Sequence, residues 1–88
     1  MPFQVYLYST TGCHLCDEAK EICVQAIRTL QLQGQFELRE IDIAEDARLF
    51  QNYGAAIPVL QVKAAASALY WPFSVESVCE YLSAHKAY

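Results

Sequence analysis

Positive charge is scarce in this 88-residue chain: six lysines and arginines stand against ten aspartates and glutamates, a formal charge of −4. An excess of that sign repels phosphate backbones and anionic lipid headgroups, and no basic stripe interrupts it. Unspecific nucleic-acid binding and attachment to a membrane surface are therefore not expected. Long apolar runs are missing too, none approaching the ~20 residues that span a bilayer. Met1-Pro2-Phe3 has no charged segment leading into a long apolar one, so no secretory leader is read there. The expectation is a soluble, cytoplasmic protein. Repeats, low-complexity tracts and linkers are also lacking, and this length supplies one core, so residues 1–88 read as a single domain.

Cysteine is present four times, unevenly spaced, in a chain that is 55% hydrophobic. Small secreted scaffolds use disulfides where the apolar core is insufficient, which is not the situation here. A reducing compartment fits, and there a closely spaced pair is more often catalytic or metal-binding than structural. The pair in question is Cys13-His14-Leu15-Cys16.

Its surroundings point to dithiol chemistry. Phe3 to Tyr8 is rich in β-formers and ends at Ser9-Thr10-Thr11-Gly12, a loop composition, so it reads as a buried strand. From Cys13 onward Leu15, Ala19, Ile22, Cys23, Ala26, Ile27 and Leu30 recur at helical steps, with Gly34 as the terminator. If a helix starts at the motif, the free N–H groups of its first turn lie beside Cys13 and favour the thiolate, the form that attacks disulfides. Cys13 is then the nucleophile, and Cys16, one turn further in, the resolving thiol. His14 would add positive charge nearby only when protonated, while Asp17 and Glu18 oppose a neighbouring anion.

Further along, a strand is expected from about Phe36 to Ile41, then an acidic corner through Asp46. A short helix from Glu45 to Tyr53 follows, with Leu49, Phe50 and Tyr53 at helical spacing and Gly54 as a left-handed cap. Ala55 to Lys63 becomes a strand, and Ser67 to Trp71 a second one across an alanine-rich link lacking the usual glycine or asparagine of a tight hairpin. Ser74 should cap a last helix reaching about His85. The order is β-α-β-α-β-β-α: an α/β fold with a four-stranded mixed sheet and helices on both faces. The cysteines would lie at the carboxyl end of the first strand, where open α/β sheets place their sites.

Cys13-His14-Leu15-Cys16 followed by Asp17, then Ile57-Pro58-Val59-Leu60, then Trp71-Pro72-Phe73, resembles the thioredoxin superfamily, and within it a small bacterial glutaredoxin-like family. The resemblance covers essentially the whole chain. It implies a thioredoxin-like, glutaredoxin-like fold, a cis peptide bond before Pro58, and a substrate-binding role for Ile57 and Pro58 beside the cysteine pair. It also has departures. His14-Leu15 stands where glutathione-using members usually carry Pro-Tyr, Trp71-Pro72-Phe73-Ser74 replaces their glycine pair, and no lysine precedes Cys13. Glutathione stays open as a partner, with these departures against it, and no cofactor is required.

The expected function is thus a thiol–disulfide oxidoreductase acting on a disulfide-containing protein or a low-molecular-weight thiol, regenerated by an external reductant. Two other readings stand beside it. One is a thioredoxin-fold module holding a metal or iron–sulfur cluster across a dimer, although a single chain places too few thiolates for a closed site. The other is a redox-inert interaction domain. Cys23 and Cys79 read as small core residues, and Tyr6, Phe36, Phe50 and Tyr53 as core or sheet packing. Trp71 reads as core packing, and Phe73 either as core or as a site-tuning rim residue alongside His14. The acidic stretch from Glu40 to Asp46 reads as a solvated edge whose charge would repel acidic partners.

Overall fold

A computed structural model of the chain describes residues 3–30 and 35–85. Strand β1 (Phe3–Ser9) leads into helix α1 (His14–Thr29), then strand β2 (Phe36–Asp42). A 3-10 turn (Ile43–Glu45) joins β2 to helix α2 (Ala47–Tyr53), and strands β3 (Val59–Val62) and β4 (Leu69–Tyr70) precede helix α3 (Val75–Ala84). The sheet order is β2-β1-β3-β4. β1 runs parallel to β2 and antiparallel to β3, and β3 is antiparallel to β4. The expected mixed four-stranded sheet is what the chain forms.

Alternation along β1 assigns the two faces. Val5 and Leu7, with Leu60 and Val62 of β3, pack against Ala19, Cys23, Ala26 and Ile27 of α1 and Val78, Tyr81 and Leu82 of α3. Tyr8 and Val59 point the other way, onto Ile43 and, from α2, Leu49 and Tyr53. Tyr8 stacks on Tyr53 with ring centroids 4.8 Å apart. With a strand on either side and helices over both faces, β1 is nearly continuously apolar.

Several local expectations are corrected. Leu15 is 44% exposed, and Cys16 takes its place on the buried stripe of α1. The inward set Cys16, Ala19, Cys23 and Ala26 follows three- and four-residue steps, and Leu15 lies a residue, about 100°, away from it. Phe50 is 58% exposed for the same reason: Leu49 and Tyr53 already occupy the inward face of α2. Gly54 is not left-handed; its φ is −53° and its N–H donates to the Phe50 carbonyl at 2.8 Å. A Cβ there would sit 2.5 Å from that same oxygen, so close approach is what requires glycine. The helix expected from Glu45 begins after Asp46, whose carboxylate accepts from the Arg48 and Leu49 N–H groups. β4 is shorter than Ser67 to Trp71, and the alanine-rich link turns through Ala64 at φ 68°, without glycine. Gly34, expected to end α1, lies outside the described residues. Ser74 does cap α3, in a reciprocal box with Ser77.

The Tyr81 hydroxyl ties α3 to the sheet and its connecting loop. It accepts from the Val62 N–H at 3.0 Å and donates to the Ser67 carbonyl at 2.8 Å. Burial pushes its pKa up, against a smaller opposite effect of the Val62 N–H, so it stays a donor. Tyr81→Phe keeps the ring and strands both groups. We expect it to cost about 1–3 kcal/mol in a urea titration, whereas an unchanged midpoint would show that water replaces the hydroxyl.

Candidate active site

β1 delivers the chain to the site at Ser9, which is buried. The turn after it depends on Gly12, whose φ of +80° is in the left-handed region, with no atom within 4 Å of where a Cβ would lie. Conformation, not space, selects glycine there. The Cys13 N–H donates to the Thr10 carbonyl at 3.2 Å, and Cys13 then takes the N-cap position of α1 in extended conformation. Its Sγ accepts the Cys16 N–H at 3.2 Å, the role that a serine or aspartate oxygen plays in ordinary caps.

Cys13 and Cys16 are joined in a disulfide with Cα atoms 5.2 Å apart. The two sulfurs differ in access: Cys16 is 1% exposed, while Cys13 is only partly buried. An open cleft of about 340 Å³ runs beside them, lined by the loop from Ser9 to Gly12, both cysteines, Asp17, and Glu40 and Asp42 from β2.

The remaining residues singled out in the sequence are distributed around this cleft. His14 is exposed at the first position of α1 and does not line it. The Ile57–Pro58 peptide is cis, and Pro58 is fully buried. Because Tyr8 pairs with Val59, the start of β3 lies at the carboxyl end of β1, so Pro58 shares the cysteine end of the sheet. It is on the β3 side, whereas the cleft opens on the β2 side. The Ile57 N–H is already committed to the Tyr53 carbonyl at 3.1 Å. Phe73 is buried in the main core, edge-on to Trp71 with centroids 5.0 Å apart, and is not on the cleft wall. Cys23 is buried among apolar residues, which pushes its thiol up to about 12 and keeps it protonated and unreactive at neutral pH. Cys79 is partly buried against the same core. Among the described residues no three His, Cys, Asp or Glu side chains converge closely enough to hold a metal ion, and no helix is long and apolar enough to cross a membrane.

The sequence description of the glutaredoxin-like domain (DUF836) matches residues 4–83, from β1 to α3 and including both cysteines and Pro58. The chain belongs to this glutaredoxin-like family. The X-ray structure of protein XcR50 from X. campestris is 35% identical, with 91% of this glutaredoxin-like chain and 96% of that one covered and a TM-score of 0.72. Protein Ne2328 from Nitrosomonas europaea is 27% identical over 92% of both chains, at a TM-score of 0.66. A malarial protein at 10% identity and a TM-score of 0.71 shares the fold alone. No curated protein sequence matches.

Two features of this glutaredoxin-like site were not read from the sequence. One is the second cis bond, Trp71–Pro72, just ahead of Phe73. The other is the position of Glu40 and Asp42 in the wall of the cysteine cleft. Their two-residue spacing on β2 puts them on one face of the sheet, and the strand pairing that decides which face joins residues more than 30 positions apart.

Proposed function

We propose that this glutaredoxin-like protein is a thiol–disulfide oxidoreductase with Cys13 as nucleophile and Cys16 as resolving thiol. The observation that carries this reading is the asymmetry of the bonded pair: an accessible sulfur on the N-cap of α1 beside one that is sealed. In the dithiol form the Cys13 thiolate attacks one sulfur of a substrate disulfide. A Cys13–substrate disulfide forms, and the first substrate thiolate leaves and takes up a proton. The Cys16 sulfur, once deprotonated, attacks Cys13 Sγ and expels the second substrate thiolate. Two electrons have passed to the substrate, and Cys13–Cys16 is a disulfide again. An external dithiol, or two monothiols, returns it to the reduced state.

The Cys16 N–H and the open first turn of α1 supply the electrostatic help, stabilising negative charge on Cys13 Sγ as a thiolate and as the leaving group in resolution. Ile57 would contribute its carbonyl to an extended substrate, since its N–H is taken. His14, exposed next to Cys13, would meet the partner instead of shaping the cleft. Substrates are disulfide-bearing proteins or low-molecular-weight thiols. Glutathione fits poorly, because none of the described residues lining the cleft is a lysine or arginine to hold its carboxylates, and no step is assigned to it. The setting proposed is the cytoplasm, where the dithiol form is maintained.

The test is equilibration in reduced and oxidised dithiothreitol mixtures, acid quenching, and mass analysis of alkylated thiols. Wild type should pass through one transition that adds two labels, at Cys13 and Cys16, and Cys13→Ser should show none. Failure of the wild-type pair to cycle would sink this reading.

A further inference from the structure

We infer that the β2 flank of the cysteine cleft selects substrates by charge, and that the preferred substrate is a peptide or protein disulfide whose cysteine is flanked by lysine or arginine. This rests on the oxidoreductase reading and adds its substrate class. Parallel pairing sets Leu7 opposite Glu40 and Ser9 opposite Asp42, so both acids share the α1 face of the sheet with the residues that lead into the cysteine loop. Asp17, in the first turn of α1, joins them from the other side.

Among the described residues that line the cleft these carboxylates are the only charged groups; the other polar side chains there are the hydroxyls of Ser9, Thr10 and Thr11 and the cysteine sulfurs. Two of the acids are held in place. Glu40 Oε2 accepts from the Ser9 hydroxyl at 3.3 Å, and Asp42 Oδ1 accepts from the Ala44 N–H at 2.9 Å. Lys20 approaches Glu40 Oε1 at 3.7 Å, but both side chains are about half exposed, at 55% and 42%, so that pair offsets the cleft charge only weakly. The positive end of α1 favours negative charge on Cys13 Sγ itself and falls off within a turn. An incoming chain therefore meets an anionic rim around a locally favourable sulfur. A basic residue beside the attacked disulfide is drawn in, and an acidic one, or the carboxylates of glutathione disulfide, is repelled. The redox step is unchanged: the substrate disulfide gains two electrons and Cys13–Cys16 loses them.

Three dimeric peptide disulfides, identical except for lysine, glutamine or glutamate on both sides of the cysteine, provide the probes. The rate of reduction by the dithiol protein is divided by the rate of the same peptide with dithiothreitol, which removes intrinsic differences between the disulfides. At low ionic strength the lysine peptide should exceed the glutamate peptide by about tenfold or more, with glutamine between them. In 1 M salt, where the screening length is about 3 Å, the spread should shrink to about twofold. The D17N/E40Q/D42N variant should lose the spread at low salt, its lysine and glutamate peptides both coming within about twofold of its own glutamine peptide, whatever that variant's absolute rate. A spread that is absent in wild type, or indifferent to salt, overturns the inference while reduction of the glutamine peptide upholds the oxidoreductase reading. Reduction of none of the three overturns both.

Discussion

Cys13→Ser is expected to lower disulfide reduction by at least about a thousandfold, while Cys16→Ser keeps the first chemical step and stalls at the second. The difference comes from access. Cys13 opens on the cleft, and its sulfur already accepts the Cys16 N–H. Cys16 is sealed at 1% exposure on the inward stripe of α1. A substrate disulfide thus reaches Cys13 and not Cys16, whereas Cys16 needs to reach only Cys13. Incubation of each reduced variant with a peptide disulfide, followed by acid quenching and intact mass measurement, reads this directly. Cys16→Ser should gain the mass of one peptide, on Cys13; Cys13→Ser should gain none when Cys79, the partly buried thiol of α3, is replaced by alanine in both variants, because Cys23 is also buried and protonated. An adduct on Cys16 in Cys13→Ser, at the rate seen for Cys13, would reverse the assigned roles.

The parts of this site that were legible in the sequence are those governed by near neighbours. The run from Phe3 to Tyr8, the loop residues after it and the helical periodicity beyond Cys13 place the pair at the end of β1 and the start of α1. Ser74 is legible for the same reason, since a cap acts within three residues. Finer periodicity misleads where a neighbouring residue competes for the inward face, as Leu15 does with Cys16 and Phe50 with Leu49 and Tyr53. Gly54 shows a further limit: its position at a helix end is evident, but a steric reason cannot be told from a dihedral one without the Phe50 carbonyl in view. The acidic wall is long-range altogether. Glu40 and Asp42 enter the cysteine cleft through pairing with Leu7 and Ser9, so in sequence they are one more charged stretch, and only the strand register makes them part of the site.

Leu60→Ala is expected to produce the largest loss of stability of the substitutions considered. Leu60 is fully buried at the centre of the sheet, paired with Leu7 on one side and Leu69 on the other, in the cluster that joins β1 and β3 to α1 and α3. Removing its outer methyl groups forfeits their burial and leaves a cavity that the surrounding strands and helices would have to collapse to fill. Such sites lose about 2–5 kcal/mol, a large part of the roughly 5–15 kcal/mol that holds a small domain together. In urea, with a slope of ~1 kcal/mol per molar for a small protein, the midpoint should fall by about 2 M or more at constant slope. Both proteins must be measured with Cys13–Cys16 oxidised, because the cross-link also acts on the unfolded chain and would otherwise confound the comparison. Leu60→Met keeps most of the volume and should cost less than about 1.5 kcal/mol. Equal losses for the two variants would mean that branching at this position, and not filled volume, holds β3 against the helices.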